Sequence, residues 1–260
     1  MQKLLLFLIC LAPAYFQYGE YFYESFESFV NVAHVHGEYT EEQGMTAGHP
    51  ISSSIILPPD TAQLIARVDQ QLSKGEKWVS AVLTDTALMF LHPVPAFREV
   101  IKKHAKAEKI RLTAPTEPGI PTRIEVNVVD GYDKPVTGAL VYLYQTDARG
   151  WYADTAAHVL VREGDRRHAR LFAYLKTDGN GYFEAETIRP ESYPNSSLPQ
   201  HIHCEITAPD GKILITELLF RDDPKMNDEA MTRALREGSF LARNIGTAKH
   251  PVFTYQLRLR

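Results

Sequence analysis

The sequence predicts a mainly β protein, in which an antiparallel β-sandwich follows a smaller N-terminal region that is mixed or mainly helical. Three observations lead to this fold class. Apolar residues recur at helical spacing in the first part of the chain, whereas they alternate with a period of two in the second part. Between the two patterns, residues 112–122 contain three prolines and one glycine, which is the composition of a linker. We therefore expect an N-terminal region over 17–111 and a sandwich domain over 123–260.

The first sixteen residues have the pattern of a processing signal. Lys3 supplies a positive charge, an apolar run follows from Leu4 to Leu11, and Ala12-Pro13-Ala14 has the small-x-small form of a cleavage site. The apolar run is much shorter than the ~20 residues of a membrane span. We expect residues 1–16 to be a signal peptide and the protein to be exported, with no membrane span. A mature N-terminal strand or helix is the alternative.

The sequence pattern of residues 17–111 predicts two helices. It does not indicate a role for this region. Asp60-Thr61-Ala62-Gln63 has the spacing of a capping box, and the apolar residues after it recur at helical intervals. A second helix is predicted from Ala96 to about Lys109. Between the two helices, the apolar stretch from Trp78 to Leu91 fits a strand or a buried helix, and periodicity does not decide.

Downstream, alternating apolar residues predict seven short strands. Two turns rich in residues that tolerate positive φ, Thr177-Asp178-Gly179-Asn180-Gly181 and Ala208-Pro209-Asp210-Gly211, join successive strands. The predicted strands are, in chain order, Ile124 to Val128, Val136 to Tyr144, Leu171 to Lys176, Tyr182 to Glu186, Gln200 to Thr207, Lys212 to Phe220 and Phe253 to Leu259. Short strands at such spacing predict a sandwich.

The composition argues against several classes of function. The chain has 28 Lys and Arg against 32 Asp and Glu, a net charge of −4, and no basic run longer than Arg166-Arg167, so we expect no nucleic-acid partner. Two cysteines, Cys10 and Cys204, are too few for a disulfide-rich scaffold or an all-cysteine metal site. The sequence contains no Gly-x-Ser-x-Gly elbow, P-loop or dinucleotide fingerprint.

The predicted strand Gln200 to Thr207 carries a pattern that suits a metal site. Alternate side chains of a strand share a face, so His201, His203 and Glu205 lie on one face and Cys204 on the other. Two histidines two residues apart are about 7 Å apart at Cα, and both rings can converge on one ion. Two ordinary surface or core histidines are the alternative. Cys204 shares its face with isoleucines and is interpreted as a core residue.

Two tyrosine segments and this histidine strand together resemble the intradiol ring-cleavage dioxygenases. The three segments are, in chain order, Gly150-Trp151-Tyr152, Thr187-Ile188-Arg189-Pro190-Glu191-Ser192-Tyr193-Pro194 and His201-Ile202-His203. The resemblance covers about residues 120–260. It implies a non-haem Fe(III) ion held by Tyr152, Tyr193, His201 and His203, with a small aromatic diol and O2 as substrates.

The same resemblance implies that the ring is cleaved between its two hydroxylated carbons. Tyr193 resembles the ligand that leaves the metal and accepts a substrate proton, and Tyr152 resembles the ligand that stays. The chemistry is consistent with this ligand set, because phenolate is a hard, anionic donor that favours Fe(III), and a metal lowers the phenol pKa from its usual value of ~10.

Two positions outside the metal shell depart from the family pattern. Well-studied members carry an arginine three residues before the first histidine, where this chain has Leu198, and a glutamine in the next strand, where it has Glu217. Both are substrate-pocket candidates, and the departures bear on substrate activation and choice rather than on iron binding. Arg162 or Arg170 could replace the missing arginine, with a solvated surface charge as the alternative for each.

A non-catalytic binding module is the alternative function. Transthyretin-like and carboxypeptidase-regulatory-like sandwiches share the glycine turns and a Tyr-Pro segment. Tyr152, His201 and His203 discriminate between the two functions, because such a module does not need them to converge. His34-Val35-His36 is a second His-x-His, but two histidines fall short of the three or four ligands of a usual metal site. An oligomer is possible, and the sequence does not specify its size.

Overall fold

The computed structural model describes residues 60–75, 77–106, 108–153 and 169–260. The predicted signal peptide, His34-Val35-His36 and Arg162 lie outside the described residues. Two β-sheets dominate the fold, preceded by helices, which confirms the predicted fold class. The strands are β1 (Lys109–Arg111), β2 (Pro121–Val129), β3 (Leu140–Gln145), β4 (Leu171–Lys176), β5 (Tyr182–Ile188), β6 (His201–Thr207), β7 (Ile213–Phe220), β8 (Phe240–Ala242) and β9 (Val252–Arg258).

The strands form a four-stranded sheet in the order β1-β5-β2-β9 and a five-stranded sheet in the order β4-β3-β6-β7-β8. Apolar side chains of both sheets share one core. Phe220 of β7 meets Phe253 of β9 edge to face, with ring centroids 4.8 Å apart. The Tyr255 hydroxyl of β9 donates a hydrogen bond to the Leu219 carbonyl of β7 at 3.0 Å. These contacts join the two sheets face to face, as in a sandwich.

The pairing of strands is mixed rather than purely antiparallel. The pairs β1–β5, β2–β9 and β7–β8 are parallel, whereas the other four described pairs are antiparallel. Two of the parallel pairs involve three-residue strands at sheet edges, and their alternation is too short to be recognised in the sequence. The seven predicted strands all form, although β3 begins at Leu140 rather than at Val136.

The N-terminal helices are α1 (Thr61–Leu72), α2 (Lys77–Thr84) and α3 (Pro95–Lys103), with a 3₁₀ helix over Thr86–Leu91. The stretch from Trp78 to Leu91, which the sequence left open, is therefore helical. The second predicted helix ends at Lys103, well before Lys109, because Lys109 begins the strand that pairs with β5. Over the described ranges, no helix is both long and apolar enough to cross a membrane.

A fourth helix, α4 (Asp228–Glu237), was not predicted from the sequence. Its start and end carry recognisable signals. The Asn227 side chain accepts a hydrogen bond from the Ala230 N–H, and Gly238 ends the helix with a left-handed φ of 78°. Asn and Gly at this spacing are the two sequence features that could have revealed the helix.

The proline-rich segment over 112–122 runs from the end of β1 into the first two residues of β2. Leu112, Thr113 and Ala114 within it are buried. Thr61–Arg260 forms one compact unit, which includes the helices before the segment and the strands after it. The predicted division of the chain at 112–122 stays a prediction.

His92 contacts both the helical region and the start of β4. It is fully buried, with its ring stacked on Phe97 and edge-on to Phe172. Its Nδ1–H donates a hydrogen bond to the Arg170 carbonyl at 2.6 Å. Burial lowers the pKa of His92 to about 4, and the charges of Arg98 and Arg170 also lower it.

The lowered pKa of His92 predicts acid destabilisation. The unfolded state binds a proton near pH 6.5 and the folded state only near pH 4, so the free energy of unfolding falls as the pH drops through this range. The expected loss is about 3 kcal/mol. Urea denaturation at pH 7 and pH 4.5 measures it, with His92→Gln as the comparison because glutamine can donate to the same carbonyl but does not titrate. An equal loss of stability in the variant and the wild type would show that His92 does not carry the effect.

Candidate metal centre

Strand β6 presents the two histidines of the predicted site. His201 is buried at the start of the strand and His203 is half-buried two residues later, whereas Cys204 is buried on the opposite face. His201 Nδ1–H donates to the Pro199 carbonyl at 2.8 Å, which leaves Nε2 to face the site. Burial raises the pKa of Cys204, so this thiol stays protonated in the core, as the sequence predicts.

Tyr152 is carried by a tight turn after β3. Asp147 organises the turn, because its carboxylate accepts hydrogen bonds from the N–H groups of Arg149 and Trp151 at 2.8 and 3.1 Å. Gly150 adopts a φ of 79° in this turn. The Tyr152 carbonyl then accepts a hydrogen bond from the Arg170 N–H at 2.6 Å. The Tyr152 side chain is buried.

Tyr193 is carried by the segment between β5 and β6. Arg189 anchors the segment by lying over the Phe220 ring at 4.0 Å and donating to Gln200 Oε1 at 2.7 Å. The segment also lies against the Tyr152 turn, since the Glu191 N–H donates to the Asp147 carbonyl at 3.1 Å. The backbone thus brings the two tyrosine segments together.

The donor atoms of the four predicted metal ligands lie close together. Tyr152 Oη lies 2.5 Å from Tyr193 Oη and 2.7 Å from His203 Nε2. Tyr193 Oη lies 2.8 Å from His201 Nε2 and 3.2 Å from His203 Nε2. Donor atoms that bind one ion at about 2 Å lie within about 4 Å of one another. The separations of these two phenol oxygens and two imidazole nitrogens therefore fit a single shared metal ion.

The chemistry of these donors narrows the choice of metal. Two phenol oxygens are hard donors that become anionic when they bind a cation, which favours a highly charged ion such as Fe(III). Soft thiolate donors would favour other metals, but Cys204 faces away from the site. The residues present fit a non-haem ferric ion.

Glu217 lies beside the four donors. It pairs with His203 across β6 and β7, and its Oε1 is 3.9 Å from His203 Nδ1, beyond hydrogen-bond distance. Ligand atoms of His201, His203 and Glu217 lie within 4.8 Å of one another. Glu217 therefore adds negative charge at the edge of the centre.

The other substrate-pocket candidate lies at the surface. Leu198 is 40% exposed in the segment that leads into β6, and its N–H donates to Ser196 Oγ at 3.0 Å. Arg170 donates two hydrogen bonds to the Glu117 carboxylate, at 2.7 and 2.6 Å. Its charge is therefore paired with Glu117 rather than available to replace the missing arginine of the substrate pocket. The structure brings together Tyr152, Tyr193, His201, His203 and Glu217, and it places Leu198 at the exposed surface before β6.

A ring beside the centre and the contacts behind it are not apparent from the sequence. Tyr144 of β3 stacks on His203, and the buried Arg98 of α3 donates a hydrogen bond to the hydroxyl of Tyr142, the next ring along β3. The alternation of Tyr142 and Tyr144 places both rings on one face of β3. Their proximity to His203 depends on which strands pair, and the sequence does not specify that pairing.

Known proteins resemble this chain over part of its length. A family model described as dioxygenase matches residues 93–259. Catechol 1,2-dioxygenase of Candida albicans is 26% identical over 132 residues, which are 43% of this chain and 42% of that protein. The chain thus matches less than half of that relative's length.

Solved structures are similar to this chain at comparable levels of sequence identity. The dioxygenase domain of a dioxygenase and carbohydrate-binding protein fusion from Streptomyces sp. SirexAA-E is 27% identical, with a TM-score of 0.45, covering 57% of this chain and 85% of that chain. An intradiol ring-cleavage dioxygenase from Tetranychus urticae is 20% identical, with a TM-score of 0.45, covering 60% of this chain and 87% of that chain.

Proposed function

The chain belongs to the intradiol ring-cleavage dioxygenase family, and we propose that it uses O2 to open the ring of a catecholic substrate between the two hydroxylated carbons. One observation carries the proposal. Two phenol oxygens and two imidazole nitrogens, from Tyr152, Tyr193, His201 and His203, are linked by four contacts of 2.5 to 3.2 Å. A sandwich that only binds or connects has no need of this convergence.

The four donor residues would hold ferric iron, which when bound supplies two coordination sites for the catechol oxygens and makes the ring reactive toward O2. The chain's own residues supply the proton chemistry. Two ionised phenols 2.5 Å apart repel each other strongly, so the pair is disposed to take up one proton. A catechol that binds as a dianion releases two protons: we assign the first to a hydroxide ion from solvent and the second to Tyr193 Oη.

The family resemblance supports this division of roles. Tyr152 and Tyr193 are both held through their backbones, because the Tyr152 carbonyl accepts a hydrogen bond from the Arg170 N–H at 2.6 Å and the Tyr193 carbonyl accepts one from the Ser196 N–H at 3.2 Å. By its position in the family motif, Tyr152 is assigned as the ligand that stays and Tyr193 as the ligand that is released.

Charge at the edge of the centre bears on the substrate class. The Glu217 carboxylate, 40% exposed at its side chain, lies 3.9 Å from the His203 ring and disfavours a second negative charge nearby. At position 198, leucine supplies no positive charge to stabilise an anionic ring. A preorganised charged donor is worth about 3–4 kcal/mol, or about 10²–10³ in rate. Electron-rich substrates need less of this stabilisation.

We therefore expect trihydroxybenzenes and alkyl- or alkoxy-substituted catechols to react faster than catechol, and carboxylated catechols to react poorly. Values of kcat/KM across 1,2,4-trihydroxybenzene, 4-methylcatechol, catechol and 3,4-dihydroxybenzoate measure the order. Glu217→Gln removes the negative charge without changing the size of the side chain, so it should raise the relative rate of 3,4-dihydroxybenzoate. If the wild type cleaves the carboxylated catechol fastest, an unrecognised cation lies at the pocket.

The proposed reaction is tested by its oxygen balance. Iron-loaded protein and catechol under ¹⁸O2 should consume one O2 for each ring opened. Both labelled atoms should appear in the dicarboxylic acid product, one in each new carboxyl group. Consumption of no O2 with any member of the substrate series would overturn the proposed activity.

The proposal also includes export of the protein and the class of its partners. The pattern of residues 1–16 supports export of the chain, and the mildly acidic composition is consistent with small-molecule partners rather than nucleic acid. An aromatic diol and O2 are the partners that the proposed reaction requires.

A further inference from the structure

The ring of Tyr144 lies flat against the ring of His203. Their centroids are 4.4 Å apart and their planes differ by 10°. Tyr144 and His203 are direct partners in the antiparallel pairing of β3 and β6. The stack is therefore built into the sheet, because cross-strand partners on one face have their side chains side by side.

The two histidines of the centre are oriented in different ways. The ring of His201 is directed by the hydrogen bond from Nδ1–H to the Pro199 carbonyl. The ring of His203 instead has a flat aromatic partner on its face. Rotation of the imidazole about its Cβ–Cγ bond would turn it out of this stack and carry Nε2 away from Tyr152 Oη, which is 2.7 Å distant.

Tyr144 is itself held in place by a row of aromatic rings. It stacks on Tyr142, with centroids 5.2 Å apart, and Tyr142 stacks on Tyr174 at 4.5 Å. The buried Arg98 of α3 donates a hydrogen bond to the Tyr142 hydroxyl and lies over the Phe172 ring at 3.8 Å. Helix α3 thus holds Tyr142 inside the row through Arg98, while Tyr174 lies at one end of the row and His203 at the other.

We propose that Tyr144 is a positioning residue, whose ring holds the His203 imidazole in the plane that points Nε2 at the two tyrosine hydroxyls. The proposal rests on the proposed function only for the identity of the metal. The orientation of the ring is a property of the metal-free chain. It makes stacking, rather than the Tyr144 hydroxyl, the feature that matters.

Three variants separate stacking from other effects. Tyr144→Phe keeps the ring, Tyr144→Leu removes it, and Tyr174→Leu removes a ring from the same row without touching His203. Iron affinity, measured by competition with a chelator, should fall about tenfold or more in Tyr144→Leu and stay within about twofold of wild type in the other two variants. The visible band of the iron-loaded protein should shift in Tyr144→Leu alone. Wild-type affinity and an unchanged band in a folded Tyr144→Leu would overturn the proposal.

A second measurement keeps the proposal testable if Tyr144→Leu does not fold or if the wild type binds no iron. In NMR spectra of the metal-free wild type, the carbon-bound protons of the His203 ring, assigned by their loss in His203→Gln, should be shifted upfield by the facing Tyr144 ring. Tyr144→Phe should keep the upfield shift. Random-coil positions for these protons in folded wild-type protein would overturn the proposal, whether or not the protein binds iron.

Discussion

Replacing Gly150 by alanine is expected to abolish iron binding and to destabilise the fold. A Cβ at this position would lie 2.1 Å from the Ser192 carbonyl oxygen and 3.2 Å from Pro194 Cδ. The φ of 79° also costs an L-residue about 1–2 kcal/mol. Together with the overlap, the free energy of unfolding should fall by about 3 kcal/mol or more.

The effect on iron follows from where the clash lies. Gly150 belongs to the turn that carries Tyr152, and Ser192 belongs to the segment that carries Tyr193, so relief of the clash separates the two tyrosines. Iron content and the thermal midpoint measure the two effects. Gly211→Ala is the matched control, because Gly211 also has a left-handed φ, of 86°, but a Cβ there meets no atom within 4 Å. Stoichiometric iron in a folded Gly150→Ala would contradict the account of how the two segments meet.

Tyr152→Phe and Tyr193→Phe are expected to fail at different steps. Loss of Tyr152 should lower iron affinity by about 100-fold or more, because the proposed mechanism never releases this ligand. Loss of Tyr193 should leave more iron bound and permit the substrate to bind, but it removes the proposed acceptor for the second substrate proton. Turnover should therefore fall by about 10²-fold or more at nearly full iron occupancy.

Iron content, the spectral change on adding catechol, and kcat separate these outcomes. Both variants remove one hydroxyl from a buried tyrosine, so each controls for the packing effect of the other. Equal iron content together with equal turnover in the two variants would refute the assignment of different roles.

The sequence predicts those features of the fold that depend on local periodicity. The alternation in β2 and β6 fixes which side chains face the core, and the seven longer strands all form. The three-residue strands β1 and β8 exist only through parallel pairing with β5 and β7, which no local pattern encodes. Helix α3 ends early for the same reason, because pairing of Lys109 with Glu184 overrides helix propensity there.

The candidate site likewise contains residues whose placement the sequence predicts and residues whose placement depends on strand pairing. Spacing alone places His201 and His203 on one face, and the tyrosine segments follow from the family resemblance. The neighbours of His203 do not follow from spacing, since Tyr144 and Glu217 reach it through the register of β3, β6 and β7. The family pattern predicts Glu217 as a substrate-pocket candidate, and the structure shows that it also lies 3.9 Å from Nδ1 of the proposed ligand His203.

The visible absorption spectrum of the protein loaded with Fe(III), together with metal analysis, tests most directly the claim that Tyr152, Tyr193, His201 and His203 hold one ferric ion. We expect one iron per chain and a broad tyrosinate-to-iron band that colours the protein red to burgundy. In His203→Ala most of the iron and most of the colour should be lost. A folded wild-type protein that stays colourless after loading with Fe(III) would contradict the claim and favour a non-catalytic sandwich.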